Sequence, residues 1–230
     1  MEKVILLTGG NGMLGSQFPF GIKPTRSELD ITDKKSIEKA FDAYSPTVVI
    51  HLAALTNMKY CEEHTKEAEK INVDGTRNIV KACAERNIKL VYISTCAVFD
   101  GTKTIPYIET DTTGAVSVYG KTKQLGESLV LAASPNNLII RTGWLFGGGV
   151  NDKKFIKIFI DALKQNKTIT AIANRYGNPT YIPDLIQAIN ELLQKDTSGI
   201  AHLVNSGTVS YAEAAAVIKR FIPESISKII

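Results

Sequence analysis

Lys3-Val4-Ile5-Leu6-Leu7-Thr8-Gly9-Gly10-Asn11-Gly12-Met13-Leu14-Gly15 is an apolar run of strand length that breaks straight into glycines. Gly9, Gly12 and Gly15 follow a G-x-x-G-x-x-G spacing. Lacking Cβ atoms, these positions permit a tight strand-to-helix turn. They also let backbone N–H groups approach a pyrophosphate at the positive end of the helix expected to follow. A glycine turn with no phosphate role is the plainer alternative. The strand before it and the room for a helix after it weigh against that.

Outward from this turn, hydrophobic periodicity predicts strands over 47–52, 89–95, 137–142 and 201–204, with a shorter one near 168–172. Helices are predicted over 34–44 with Asp33 as cap, over 67–86, from about 119 to 133, near 153–165, after Pro183 and over 211–221. This alternation argues an α/β fold built on a doubly wound, mostly parallel sheet of the Rossmann type. Ligands on such sheets bind beyond the carboxyl ends of the strands. The segments there are 9–15, 53–56 and 94–96. Asp30, with Ile31, lies where an acidic residue often meets a ribose, although no clear second strand precedes it.

The chain of 230 residues, 44% of them hydrophobic, can bury a core without staples. Cys61, Cys83 and Cys96 are odd in number and match no metal spacing, so a reducing, cytoplasmic setting is expected. No run approaches a membrane span, and no basic block or aromatic–basic stripe points to a nucleic acid polymer. A net charge of +4 tolerates an anionic ligand and equally fits a merely soluble surface. His51, at a strand end, reads as a satisfied core or loop residue, and His64 and His202 have no carboxylate or cysteine partners at metal spacing, so no metal site is expected.

Tyr119 and Lys123 stand four residues apart, which on a helix puts a phenol and an ammonium on one face. A phenol of pKa about 10 is expected to move toward neutrality beside a cation and to exchange a proton with a substrate oxygen. Such a pair also arises by chance on surface helices.

In order along the chain stand 8-TGGNGMLG-15, 29-LDITD-33, 53-AALT-56, 71-INV-73, 94-STCAVFDG-101, 118-VYGKTK-123, 141-RTGWLFG-147 and 176-YGNPT-180. Together they resemble the extended short-chain dehydrogenase/reductases, and within them the dTDP-4-dehydrorhamnose reductase group. The likeness runs over nearly the whole chain.

The resemblance implies NAD(P)H-dependent reduction of the 4-keto group of a nucleotide-linked 6-deoxy-4-keto-hexose. Tyr119 would protonate the developing alkoxide, Lys123 would tune Tyr119 and hold the nicotinamide ribose, and Thr95 would orient the carbonyl. On the cofactor, Gly9, Gly12, Met13, Leu14 and Gly15 would border the pyrophosphate and Asp30 and Ile31 the adenosine. Ala53, Ala54, Leu55 and Thr56 would line the channel. Thr95, Cys96 and Trp144 would meet the sugar, with Trp144 as a core aromatic the alternative. Residues 1–230 read as one NAD(P)-binding domain, with a small, shortened substrate-side portion from about 144–182 and 200–230. A homodimer or a partner subunit is also expected.

Three departures from the group's pattern stand out. Pro19, Gly21 and Pro24 interrupt the short stretch from Gly15 to Asp30, which contracts the first crossover. Cofactor choice is therefore weakly encoded. Arg26 or Lys23 meeting a 2′-phosphate tilts it toward NADPH over NADH. The chain also stops soon after 211–221, where relatives continue into a segment that helps close the sugar pocket. Finally, Cys96 replaces the usual aspartate, as in related epimerase/reductases that use cysteine as an acid or base. Lys154 or Lys157 would then be the partner base, and a buried small hydrophobe is the alternative. A non-catalytic cofactor-binding subunit is the remaining reading.

Overall fold

The runs expected as strands lie side by side in the computed structural model, which describes residues 3–225 and 227–229. In chain order the first half contains β1 (Ile5–Thr8), α1 (Lys34–Tyr44), β2 (Val48–His51), α2 (Met58–Glu63), α3 (Thr65–Glu69), α4 (Thr76–Glu85) and β3 (Lys89–Thr95). The second half begins with α5 (Val118–Ala133), β4 (Leu138–Thr142), β5 (Leu145–Phe146), α6 (Phe155–Lys164) and β6 (Tyr176–Gly177). It ends with β7 (Thr180–Tyr181), α7 (Ile182–Gln194), β8 (Gly199–His202), β9 (Val209–Ser210) and α8 (Tyr211–Arg220).

The main sheet has the order β1-β2-β3-β4-β8, and every neighbouring pair is parallel. Because side chains alternate along a strand, one face takes Leu6, Val49, Leu90, Tyr92 and Ile139. These pack under α1, α4 and α5 through Phe41, Ile79 and Val130. The other face takes Leu7, Ile50, Val91, Ile93 and Ile140 and is covered by α7 through Leu185, Ile186 and Ile189. Helices on both faces make the sheet doubly wound, as the alternation of elements predicted.

The region after the glycine turn differs from expectation. Instead of a helix there is one 3-10 turn, Gly15–Gln17. Ile22 then adds a single parallel bridge to Leu6 on the free edge of β1, exchanging two 2.8 Å hydrogen bonds with Ile5 and Leu7. Pro19 and Pro24 carry no N–H, so this segment cannot supply a longer ladder or helix. The expected helix over 67–86 is also divided, with a π-helical turn, Lys70–Gly75, between α3 and α4. The strand expected near 168–172 is reduced to one bridge, Ile169 to Ile229.

Beyond β4 lie two small two-stranded sheets, β5·β7 and β6·β9, and α6 and α8 pack on each other around a separate cluster of Phe159, Leu163, Ile169, Ala215 and Ile222. Among the described residues, no helix is long and apolar enough to cross a membrane.

Candidate active site

Gly9 has φ +67°, and a Cβ there would stand 2.8 Å from the Ala53 backbone, so only glycine lets the turn pass this close to the end of β2. Gly12 donates its N–H to the Gly9 carbonyl (2.9 Å). The N–H groups of Met13 and Leu14 make no backbone hydrogen bond among the described residues, and both residues line a cavity. With only a 3-10 turn behind them, the attraction for an anion comes from these few N–H groups and not from a long helix dipole. The contraction expected from Pro19, Gly21 and Pro24 thus leaves a single turn where the first crossover helix would stand.

Two cavities meet over the turn and share Gly9, Gly12, Leu52 and Ala54. One, of about 310 Å³, is bordered by Arg26, Asp30, Ile31, Ala53 and Leu55. Asp30 accepts from the Thr32 N–H and hydroxyl, both at 2.8 Å, and these bonds hold its carboxyl below the usual range. Arg26 lies 3.9 Å from it and is exposed. Lys23 donates to the Phe18 carbonyl at 2.5 Å, while Arg26 borders the cavity.

The second cavity, of about 380 Å³, collects Gly15, Thr56, Thr95, Cys96, Tyr119 and Lys123. Ser117 caps α5 by accepting from Gly120 N–H (3.1 Å). A Cβ on Gly120 would run into the Ala97 carbonyl, so glycine lets the first turn of α5 press against the segment after β3. This brings Tyr119 beside Thr95.

The electrostatics there differ from the sequence expectation. Burial pushes the Tyr119 phenol up to about 12, against the opposing pull of the Thr95 hydroxyl. Burial also brings Lys123 down to about 7, with Glu127 working the other way. Desolvation is the largest cause for both groups, because each leaves water, and it outweighs the Thr95 hydroxyl at Tyr119 and the Glu127 carboxylate at Lys123. Lys123 Nζ instead sits over the Tyr92 ring, 3.8 Å from its centroid.

Below this pair is a buried network. Arg141 on β4 donates to both Glu127 oxygens at 2.8 to 3.3 Å, Ser94 donates to Glu127 at 2.5 Å, and neither charged residue is more than 5% exposed. Asn72, on the π-helical turn, clamps the 53–56 loop. Its amide oxygen accepts from Leu55 N–H (2.7 Å), while its NH2 donates to the Leu55 carbonyl (3.1 Å) and to Thr122 (3.0 Å). His51 is a satisfied core residue. Thr76 spends its proton on the Asn72 carbonyl, so His51 Nε2 donates to Thr76 and Nδ1 accepts from Thr8, with burial holding the ring neutral at a pKa of about 3.

Trp144, at φ +50°, stacks on Tyr211 (4.1 Å) and meets Phe155 edge-on (5.0 Å). It is thus both packed and part of the cavity wall, and Lys154 and Arg175 stand along the same wall. Cys96 opens onto the cavity yet is enclosed by its walls, and burial pushes the thiol up. Acid or base work by this cysteine calls for a lowered pKa, and here desolvation outweighs the pull of Arg175. Lys157 is paired with Asp161 at 2.5 Å.

The family model of the RmlD substrate binding domain matches residues 2–229. The chain belongs to that family. Among its relatives, a dTDP-4-keto-6-deoxy-D-glucose reductase of Streptomyces niveus is 34% identical over 227 residues, 94% of this chain and 78% of that protein. A dTDP-4-dehydrorhamnose reductase of Aggregatibacter actinomycetemcomitans is 33% identical over 229 residues, 93% of this chain and 77% of that protein. The crystal structure of dTDP-4-dehydrorhamnose reductase from Bacillus anthracis in complex with NADP matches with a TM-score of 0.93 and 30% identity, covering 100% of this chain and 85% of that one.

In this RmlD family chain, the residues singled out from sequence fall on one continuous cleft. Asp30, Ile31, Ala53 and Leu55 take one end, and Thr95, Cys96, Tyr119, Lys123 and Trp144 the other. Sequence reading missed Asn72, Phe155, Arg175 and Tyr211 as parts of the site. The first stood inside a recognised motif without a role, and the others carry no local signal.

Proposed function

We propose that this chain reduces the 4-keto group of a nucleotide-linked 6-deoxy-4-keto-hexose with NADPH or NADH, as a dTDP-4-dehydrorhamnose reductase-like enzyme of deoxysugar biosynthesis. The observation that carries the reading is one cleft with an anion-ready glycine turn at its middle and a phenol, an amine and a hydroxyl at its reactive end. The glycine turn, the unspent N–H groups of Met13 and Leu14 and the Arg26–Asp30 edge suit a dinucleotide. When bound, it supplies the hydride.

Tyr119, whose raised pKa keeps its proton in place at neutral pH, donates that proton to the oxygen that gains charge. Thr95 hydrogen-bonds the same oxygen and fixes its orientation. Lys123, poised near neutrality, anchors the cofactor ribose and steadies negative charge on Tyr119 after transfer. Trp144 and Cys96 border the sugar, and Lys154 and Arg175 offer cations to its diphosphate. Residues 1–230 act as one unit in this scheme, with 144–182 and 200–230 as the substrate side. Three free cysteines suit a reducing cytoplasm.

The test is loss of NADPH absorbance when purified protein meets enzymatically prepared dTDP-4-keto-6-deoxy sugar. Nicotinamide binding with no turnover of any 4-keto nucleotide sugar would instead favour a regulatory subunit.

Two variants probe the ends of the cleft. Arg26→Ala is expected to weaken NADPH about threefold to tenfold and leave NADH nearly unchanged, because only NADPH carries the 2′-phosphate and the arginine is exposed. Equal loss for both would remove Arg26 from phosphate recognition. Cys96→Ser is expected to leave solvent-deuterium incorporation at C3 and C5 of the sugar unchanged and at background, since the thiol is held protonated. Incorporation that depends on the thiol would establish epimerisation.

A further inference from the structure

Thr142 ends β4 in register with Thr95, is 3% exposed and lines the reactive cavity. Its Oγ1 is the single buried side-chain nitrogen or oxygen without a hydrogen-bond partner among the described residues. Neighbouring buried polar groups are all satisfied: Ser94 and Arg141 by Glu127, Thr180 by the Asn178 carbonyl. A buried hydroxyl left unmade costs about 1–3 kcal/mol, and valine would fill the same strand position with the same branching and no such cost. The hydroxyl is therefore matched to something that enters the cavity.

The sheet order narrows what that is. The glycine turn follows β1, Leu52 and Ala54 follow β2, Thr95 ends β3 and Thr142 ends the next strand. A dinucleotide held along this row with its adenosine beside Asp30 has its redox ring at the β3 and β4 ends, next to Tyr119. That ring carries one polar substituent, a carboxamide, which both donates and accepts hydrogen bonds, as a threonine hydroxyl does. We infer that Thr142 Oγ1 hydrogen-bonds the nicotinamide carboxamide and so positions the ring against Thr95 and Tyr119. The inference rests on the reductase reading and adds to it a residue that fixes the cofactor's reactive end.

Thr142→Val removes the hydroxyl and keeps the branched shape, and Thr142→Ser restores the hydroxyl. Binding is followed by the fluorescence of Trp144, the sole tryptophan, which stands in the cavity wall. Thr142→Val is expected to bind NADPH about fivefold to tenfold more weakly, with Thr142→Ser close to wild type. The variant should bind 2′-phospho-ADP-ribose, which has no nicotinamide, as wild type does. Its cofactor-free melting temperature should stay level or rise, because an unpartnered polar atom has been replaced by a methyl.

Equal weakening of NADPH and the ring-less fragment, or a lowered cofactor-free melting temperature, would overturn the inference. So would unchanged NADPH binding with a raised KM for the sugar, which would assign the hydroxyl to the substrate. Failure of the wild type itself to bind NADPH would strike the reductase reading instead, and this inference with it.

Discussion

Tyr119→Phe is expected to lower turnover at least about a hundredfold, the usual contribution of a positioned acid and equivalent to about 2.7 kcal/mol of barrier. NADPH affinity should be largely kept, because in the proposed reaction the phenol hydroxyl would meet the substrate oxygen while the glycine turn and the Arg26–Asp30 edge, at the other part of the cleft, would hold the cofactor. The site argues for acid chemistry in the direction of reduction. With the phenol pushed up to about 12, Tyr119 would enter the proposed reaction carrying its proton. Loss confined to kcat, with little change in KM, would identify an interaction made in the transition state. Turnover retained by Tyr119→Phe would defeat the assignment.

Glu127→Ala is expected to cost about 3–5 kcal/mol of stability, because it leaves the Arg141 guanidinium buried without its carboxylate. For a chain of this size that amounts to a fall of about 6–20 °C in melting temperature. The energetic asymmetry supplies a control. Replacing both partners by apolar residues, Glu127→Leu with Arg141→Met, should recover much of the loss, since no charge is then stranded. Thermal melts of the single and double variants decide it, and equal destabilisation by both would show that packing and not charge dominates. The same carboxylate is the main charge opposing deprotonation of Lys123, so the ion pair supports the floor of the site as well as the core.

Much of this protein can be read locally. Asp33 caps α1 by accepting from Lys35 N–H, as its position before an amphipathic run predicted. The strand over 89–95 appears with those bounds, and the helix bearing Tyr119 and Lys123 runs to Ala133. The contracted first crossover follows from Pro19, Gly21 and Pro24. Local reading fails where the outcome depends on solvent exclusion. A Tyr–Lys spacing predicts a shared helix face and a lowered phenol pKa, yet Lys123 Nζ sits over the Tyr92 ring and burial raises Tyr119 while lowering Lys123. The same holds for Cys96, whose neighbouring cation is overruled by burial.

The sequence by itself determined the alternation of strands and helices, the glycine turn, the spacing of the phenol and the amine, and the resemblance carried by ordered motifs. These rest on backbone sterics and on period, which act over a few residues. Only the tertiary structure decided that Glu127 meets Arg141, that Asn72 clamps the loop after β2, that Arg175 and Tyr211 join the Trp144 wall, and that Thr142 keeps an unspent hydroxyl beside Thr95. Those outcomes depend on which distant segments the sheet order makes neighbours and on how completely water is removed between them, and neither quantity is written in any local stretch of chain.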